Sequence, residues 1–278
     1  MKVYFGIGRD GVIFLQYPTG RIQEFTNLAK RRGNKVVIIV HDLDILRNMA
    51  GEKEIEVLNA ADLLIVHTPA MREYLKKKGI GREYVVLECF DYLYGSTVKI
   101  PEVAGEYKVA FTGNLTKSKF LDRVNLKNAK LHLYGIGIET RKLNNGVEYK
   151  GCFPPEQLAD NMSEHFGLVW DGESPDTCAG QFGEYLKVNA PHKFSMYLSA
   201  GLPVIVWKES ALAPFVGKNN IGLVVSSLSE MDERLGSISS EEYGRLLTNV
   251  SKIQKKMLSG GFLKEALKRS SEIVKADI

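Results

Sequence analysis

The chain has 278 residues, 44% hydrophobic and 25% charged, which is ordinary for a globular protein and enough for two modest domains. Its net charge of +4 does not indicate a nucleic-acid partner, but it suits a nucleotide diphosphate ligand and a loose association with an anionic membrane face. The sequence has no apolar run near the ~20 residues of a membrane span, no signal-peptide core, and no Cys-x-x-Cys pair. We therefore expect a cytoplasmic protein, at the inner face of the membrane if that association forms.

The first part of the chain alternates between strand and helix patterns. Predicted strands cover residues 11–17, 35–40, 62–66 and 84–87, and predicted helices cover 21–32, 55–61 and 69–78. The β-branched run at 35–40 is typical of a buried parallel strand. This rhythm favours a doubly wound parallel sheet.

A linker around residues 95–106 precedes a second alternating region. Predicted strands there cover 108–112, 131–134, 166–170, 204–207 and 223–225, and two helices at 239–257 and 262–274 close the chain. We therefore expect an α/β fold with an N-terminal Rossmann-like domain at 1–100 and a C-terminal Rossmann-like domain at 101–257. A helical segment at 258–278 is expected to follow.

The most informative stretch, residues 189–207, predicts a short helix, a glycine stop and a buried strand. Pro191 suits the first turn of the helix and leaves His192 and Lys193 at its N-terminus. Unpaired backbone N–H groups and the helix dipole favour an anion there, and the lysine adds a positive charge. The pattern predicts a phosphate site, although an ordinary helix–strand connection with a solvated lysine would have the same sequence pattern.

Several shorter motifs precede this stretch in a fixed order. They are Phe14-Leu-Gln-Tyr-Pro18, Val40-His-Asp-Leu-Asp-Ile-Leu-Arg47, Phe111-Thr-Gly-Asn114, Gly151-Cys-Phe-Pro-Pro-Glu-Gln-Leu158 and Phe166-Gly-Leu-Val-Trp170. Together with residues 189–207 they resemble the GT-B glycosyltransferases. More narrowly, they resemble the bacterial group that includes the glucosyltransferase of serine-rich-repeat adhesin glycosylation and the β-1,6-galactofuranosyltransferases of surface polysaccharides.

The resemblance implies two Rossmann-like domains with a cleft between them, and a C-terminal helix at 258–278 that packs back toward the N-terminal domain. It implies transfer of glucose or galactofuranose from a UDP-sugar to a saccharide acceptor on a protein or lipid carrier, by a homo-oligomer. Basic side chains and helix dipoles stabilise the leaving diphosphate in such enzymes, so no metal ion or other cofactor is expected. The family has a further strand, loop and helix where this chain has only residues 1–10, so we expect a shortened N-terminal domain.

Further nucleotide-binding candidates come from three other segments. Gly113 lets the backbone approach a ligand closely and Asn114 can hydrogen-bond it, although a plain turn has the same sequence. The resemblance places Lys117 at a nucleotide-contacting basic position, with lysine in place of arginine and hence without a bidentate contact. It also makes Phe153 the aromatic wall for the uracil, against the alternative of a core residue. His192 would shape the phosphate turn, or simply cap or pack.

Polar residues between two predicted elements are candidates for binding sugar or ribose hydroxyls. Asp171 follows the strand at 166–170, and Glu184 and Tyr185 follow the polar loop that comes next. Because ligands of open α/β sheets lie beyond the carboxyl ends of the strands, this loop is suitably placed. Carboxylates in loops are also commonly just solvated.

The acceptor-side candidates follow the central strand of the first domain. His41 or Asp42 is predicted to be the base or an acceptor ligand, with Gln16 and Tyr17 lining the same cleft from the neighbouring strand. The alternative is that Asp42 caps the following turn.

Two other functions have the same fold class. A non-catalytic nucleotide-sugar-binding or partner subunit of a transferase complex would bind UDP without turnover. A Rossmann oxidoreductase is disfavoured, because Gly6-Ile-Gly8-Arg-Asp-Gly11 precedes a strand instead of following one.

Overall fold

The computed structural model describes residues 8–47, 52–93, 98, 102, 105–138 and 142–276. The chain divides into two compact units, one formed by residues 1–89 with 262–278 and the other by residues 90–261. None of the described helices is long and apolar enough to cross a membrane.

The first unit is built from alternating strands and helices. They are β1 (Val12–Tyr17), α1 (Ile22–Arg31), β2 (Lys35–Val40), a 3-10 helix (Asp44–Arg47), α2 (Glu52–Asn59), β3 (Leu63–Val66), α3 (Pro69–Lys77) and β4 (Glu83–Val86). The strands form one four-stranded parallel sheet in the order β1-β2-β3-β4. The two central strands are buried along nearly their whole length, as their aliphatic sequences predict.

The second unit has more elements. They are β5 (Tyr107–Thr112), 3-10 helices (Leu115–Lys117 and Lys119–Asp122), β6 (Ala129–Tyr134), β7 (Val147–Gly151), α4 (Pro155–Leu158), a 3-10 helix (Ala159–Asn161), β8 (Phe166–Val169), α5 (Gln181–Leu186), α6 (His192–Ser199), β9 (Val204–Trp207), α7 (Ala213–Asn219), β10 (Gly222–Val225), α8 (Leu228–Ser237) and α9 (Ser240–Leu258). Helix α10 (Gly261–Ala276) follows and, apart from its first residue, belongs to the first unit.

The strands of the second unit form a six-stranded parallel sheet in the order β10-β9-β8-β5-β6-β7. The order reverses between β5 and β8, because β6 and β7 extend the sheet on one side while β9 and β10 extend it on the other. In open α/β sheets such a switch point is where ligands bind, beyond the carboxyl ends of the strands. The sequence predicts both sheets but not β7, α4, α5, α7 or α8.

Buried side chains of the second unit also fix its loops. Asp232 on α8 is 6% exposed. Its carboxylate accepts hydrogen bonds from the backbone N–H groups of Lys127, Asn128 and Ala129 at 2.9, 2.9 and 3.0 Å. This contact holds the start of β6 against α8 and satisfies three backbone donors at once.

Candidate functional site

A cavity of about 430 Å³ lies at the carboxyl ends of β5, β6 and β7 and at the N-terminus of α6. Its walls are formed by Tyr92, Thr112, Gly113, Asn114, Tyr134, Gly135, Ile136, Cys152, Phe153, Pro155, Leu158, His192, Lys193 and Met196. All of these residues belong to the second unit. The volume falls in the range of small-molecule and cofactor sites.

Glycines bring the ends of β5 and β6 together beneath the cavity. Gly113 and Gly135 have φ values of +147° and +137°, which side-chain-bearing residues rarely adopt. A Cβ on Gly135 would lie 1.8 Å from the carbonyl oxygen of Gly113, so no other residue fits. Asn114 is engaged locally, because its Oδ1 accepts a hydrogen bond from the N–H of Thr116 at 3.0 Å. This part of the wall is therefore largely backbone, open to close approach by a ligand.

The N-terminus of α6 faces the cavity without a side-chain cap. Pro191 occupies the N-cap position and makes no capping hydrogen bond, and the next two residues, His192 and Lys193, line the cavity. A helix start of this kind leaves backbone N–H groups and the positive end of the helix dipole available to an anion. The structure thus brings Lys193, the predicted phosphate-binding residue, and His192, predicted to shape the same turn, to one cavity.

Tyr197 attaches α6 to the end of β5. Its hydroxyl accepts a hydrogen bond from the backbone N–H of Thr112 at 2.9 Å and donates one to Thr112 Oγ1 at 3.1 Å. Burial raises the pKa of the Tyr197 hydroxyl, so it stays a neutral donor. The sequence places Tyr197 on a helix face but does not indicate this contact. These hydrogen bonds link α6, which carries Lys193 in its first turn, to the end of β5.

Lys193 is paired with Asp171 inside the second unit. Its Nζ lies 2.8 Å from Asp171 Oδ1 and 4.7 Å from the centroid of the Phe111 ring. The lysine and aspartate side chains are 16% and 33% exposed. Asp171, predicted to bind a sugar or ribose hydroxyl, is therefore engaged with the predicted phosphate-binding lysine.

Several of the residues that line the cavity are apolar. They include Phe153, Ile136, Pro155 and Leu158. The ring centroid of Phe153 lies 6.3 Å from that of Tyr134, at an angle of 49°. The structure therefore places Phe153 on a wall that suits a flat, weakly polar group such as a nucleobase.

His192 stacks on an aromatic residue that the sequence does not single out. Its ring centroid lies 5.3 Å from that of Phe90, with 25° between the ring planes. The stack holds the imidazole at the start of α6, and Tyr92 also lines the cavity.

A buried polar network lies behind Tyr134. Glu164 is 0% exposed, and its carboxylate accepts hydrogen bonds from the hydroxyl of Tyr134 at 2.8 Å and the N–H of Ser163 at 2.9 Å. His132 Nδ1 lies 2.6 Å from the same carboxylate. Burial raises the pKa of the Tyr134 hydroxyl, and the neighbouring Glu164 carboxylate raises it further. This network fixes a cavity wall, and the sequence gives no sign of it.

Besides Asp171, three predicted site residues of the second unit are not among those that line this cavity. The Nζ of Lys117 lies 5.7 Å from the ring centroid of Phe182, on the exposed surface. Glu184 is exposed and pairs with Lys187 at 2.8 Å, and its hydrogen bond is the main cause of the raised pKa of Lys187. Tyr185 is half-buried on the same helix. Their roles toward a nucleotide or sugar stay predictions.

The acceptor-side candidates lie at the ends of β1 and β2 in the first unit. The N–H of His41 donates to the carbonyl oxygen of Tyr17 at 2.7 Å, and His41 and Asp42 are half-buried while Gln16 is exposed. Tyr17 is buried, and its predicted role in lining the acceptor cleft stays a prediction. It is 6% exposed and hydrogen-bonded to Glu54, and burial and Glu54 raise its pKa.

Glu54 is a further residue that the sequence does not reveal. It is 2% exposed, and its carboxylate accepts hydrogen bonds from the backbone N–H groups of Asp44 and Ile45 at 2.9 and 2.8 Å. Burial raises its pKa despite these bonds. Glu54 thus holds the turn that follows Asp42. The sequence suggests only Asp42 as a cap for that turn.

Among the residues that the structure describes, there is no group of three or more His, Cys, Asp or Glu side chains placed to hold a metal ion. Cys89 and Cys178 are buried, and Cys152 is exposed at the cavity.

Comparison with known sequences covers nearly the whole chain. The profile of the "Glucosyltransferase 3-like, N-terminal domain" matches residues 1–89, and that of the C-terminal domain matches residues 109–270. The β-1,6-galactofuranosyltransferase WbbI of Escherichia coli (strain K12) is 33% identical over 271 residues, which are 94% of this chain and 79% of that protein. Glucosyltransferase 3 of Streptococcus gordonii is 29% identical over 272 residues, with coverage of 94% and 79%.

Solved structures share the fold at much lower sequence identity. Sucrose-phosphate synthase from Thermosynechococcus elongatus superposes with a TM-score of 0.60 at 15% identity, over 93% of this chain and 73% of that one. Anabaena HepE, solved in complex with UDP-glucose, gives 0.58 at 12% identity, over 93% and 78%. The predicted fold class, α/β with two parallel-sheet units of the GT-B type, is confirmed.

Proposed function

The chain belongs to the glucosyltransferase 3-like family of glycosyltransferases, and on that premise we propose that it transfers a hexose from a UDP-sugar to a saccharide acceptor. The cavity of the second unit is the proposed nucleotide site. The acceptor is a sugar on a protein or lipid carrier, in surface polysaccharide or glycoprotein synthesis.

One observation carries the proposal for the nucleotide. A cationic helix start and an apolar aromatic wall line the same cavity of about 430 Å³. A nucleoside diphosphate has that division of character, with a charged diphosphate at one end and a flat base at the other. Lys193 and the start of α6 would take the diphosphate, and Phe153 would pack against the base.

Other features of the cavity suit the same ligand. The backbone at Gly113 can approach the ligand closely because it carries no Cβ. The charge that develops on the leaving diphosphate would be stabilised by the Lys193 ammonium and by helix N–H groups, which are already in position. This arrangement supplies positive charge from the protein itself, so we propose that transfer does not require a divalent ion.

The identity of the donor sugar rests on the relatives. One is named a galactofuranosyltransferase and another a glucosyltransferase, and HepE was solved with UDP-glucose. Glucose and galactofuranose are therefore the proposed donor sugars. His41 and Asp42 remain the candidates for binding the acceptor or taking its proton.

Calorimetric titration tests the nucleotide proposal directly. The full chain is titrated with UDP, UDP-glucose and UDP-galactofuranose, with and without Mg²⁺, and with ADP as the matched control for the base. We expect micromolar binding of UDP, weaker binding of ADP and little effect of Mg²⁺. A folded protein that binds none of the uridine nucleotides would contradict the proposal.

A turnover measurement separates the enzyme from a non-catalytic subunit. UDP release from each bound donor is followed over time, alone and with saccharide acceptors. Release that depends on the donor sugar supports transfer. Tight UDP binding with no release in the presence of any acceptor favours a nucleotide-sugar-binding or partner subunit instead.

A further inference from the structure

We propose that Asp171 is a positioning residue that holds the Lys193 ammonium in place for the diphosphate. The inference rests on the proposed UDP site and gives a role to the ion pair between Asp171 and Lys193. Asp171 itself is not among the residues that line the cavity, whereas Lys193 is. The carboxylate would act on the ligand through the lysine, and not by binding a sugar hydroxyl.

Asp171 is itself rigidly held. Its backbone N–H donates a hydrogen bond to the buried thiol of Cys178, whose pKa is raised by burial. The next residue, Gly172, packs so closely on Cys178 that a Cβ would lie 2.5 Å from the Cys178 Cα. On the other side, Trp170 is 0% exposed, and its Nε1 donates to the carbonyl oxygen of Ser174 at 3.0 Å.

The loop after Asp171 is also tied to neighbouring segments. Arg123 donates to the carbonyl oxygen of Glu173 at 3.0 Å, and Lys119 pairs with the Glu173 carboxylate at 3.0 Å. The N–H of Leu228 donates to the carbonyl oxygen of Pro175 at 2.8 Å. Asp171 therefore lies between a buried strand end and an anchored loop, which makes its carboxylate a fixed point.

This fixed point determines where the ammonium of Lys193 lies. Lys193 Nζ lies 2.8 Å from Asp171 Oδ1 and 4.7 Å from the centroid of the Phe111 ring. A Cβ on Gly113 would lie 4.0 Å from the same nitrogen. The ammonium is therefore close to the Gly113 backbone, which no side chain covers. Since an ammonium has three N–H donors, one to Asp171 leaves two for a ligand.

Positioning by a carboxylate has an energetic reason. A lysine side chain has four rotatable bonds and loses conformational freedom when it grips a ligand, so a lysine held in advance loses less on binding. The negative charge of Asp171 also repels a diphosphate. Because the carboxylate is 33% exposed and already paired, solvent and the lysine screen much of that repulsion.

The test compares Asp171→Asn with wild type for UDP and for uridine, which has no phosphate. UDP affinity is measured by calorimetry and uridine affinity by nuclear magnetic resonance titration. We expect UDP binding to weaken about fivefold or more and uridine binding to change by less than about twofold. Asp176→Asn is the matched control, because Asp176 lies on the same loop and bonds only locally to Ser174 in the contacts described.

A double variant separates positioning from a general effect on folding. In a Lys193→Ala background the ammonium is absent, so Asp171→Asn is expected to leave UDP binding unchanged or to tighten it, because a repelling charge is removed. Thermal unfolding of every variant confirms that the chain folds. Tighter UDP binding by Asp171→Asn with Lys193 present, or an equal loss for UDP and uridine, overturns the inference. Absence of UDP binding by wild type instead contradicts the proposed function.

Discussion

The carboxyl edges of the two parallel sheets are constructed differently. In the second unit, predicted residues such as Gly113, Phe153 and Lys193 line one cavity. In the first unit, Tyr17 is buried against Glu54, and Glu54 also binds the backbone of the turn that follows. One edge therefore leaves backbone and charge available to a ligand, whereas the other uses a buried carboxylate to satisfy its own polar groups.

The starts of two helices show the same contrast. Helix α3 is capped by Thr68, whose Oγ1 accepts a hydrogen bond from the N–H of Met71 at 3.0 Å, with Pro69 at its first position. Helix α6 begins after Pro191 without a side-chain cap. The cap satisfies one of the backbone donors at the start of α3, whereas an uncapped start with a lysine can bind an anion. The difference is consistent with the proposal that the start of α6, and not that of α3, binds an anion.

The largest expected effect comes from filling the glycine contact beneath the cavity. In Gly135→Ala the new Cβ would lie 1.8 Å from the carbonyl oxygen of Gly113 and occupy a positive φ. We expect the free energy of unfolding to fall by at least about 2 kcal/mol and UDP binding to be lost. Urea unfolding and calorimetry measure the two effects.

A second glycine provides the control for this substitution. A Cβ on Gly217, within α7, would meet nothing within 4 Å, so Gly217→Ala is expected to raise stability by about 0.5–1 kcal/mol through helix propensity. UDP binding should not change. Equal behaviour of the two variants would mean that the approach of β5 to β6 does not shape the cavity.

A smaller effect is expected at the anchor of α6. Tyr197→Phe removes the hydroxyl and leaves the N–H of Thr112 buried without that acceptor. We expect the free energy of unfolding to fall by about 1–3 kcal/mol. UDP affinity should also fall, because the helix start is no longer fixed to β5. Full retention of UDP affinity in a destabilised variant would show that this bond does not position the site.

The smallest effect on nucleotide binding is expected from the first unit. The pKa of Glu54 is raised above 4.5 in the folded protein, so the folded state holds this proton more tightly than the unfolded state. Its contribution to stability is therefore complete below about pH 4.5 and is lost as the pH rises through the raised pKa. The stability of wild type relative to Glu54→Gln should fall with rising pH in that window, while UDP affinity at neutral pH stays within about twofold.

Urea unfolding of both proteins across this pH range measures the difference. If the stability of wild type relative to Glu54→Gln instead grows with pH, the pKa of Glu54 is not raised in the folded protein. A large loss of UDP affinity in Glu54→Gln would break the contrast between the two edges.

The sequence predicts those parts of the fold that depend on local pattern. Aliphatic runs such as residues 35–40 indicate buried parallel strands, and Pro191 indicates the start of α6. Strand β7 escapes prediction because it is an edge strand with mostly exposed residues, so its sequence Val-Glu-Tyr-Lys-Gly lacks an apolar run.

Contacts between distant residues limit prediction of the site. Asp171 and Lys193 are each visible as candidates, but their pairing joins a loop residue to a helix residue 22 positions further along the chain. Glu54 and Glu164 cannot be distinguished in sequence from solvated glutamates, because only tertiary structure buries them. The local sequence pattern therefore identifies strand ends and helix starts, whereas the partners of charged groups can be identified only from the folded structure.

The central claim is that the α6 start of the second unit binds the diphosphate of UDP through Lys193. The most direct measurement is UDP affinity of wild type, Lys193→Ala and the control Lys187→Ala by calorimetry. Lys187 is a suitable control because it pairs with Glu184 and Glu209 and does not line the cavity. We predict that Lys193→Ala weakens UDP binding by at least about tenfold, or about 1.4 kcal/mol, while Lys187→Ala binds as wild type does. Unchanged UDP affinity in a folded Lys193→Ala protein would contradict the claim.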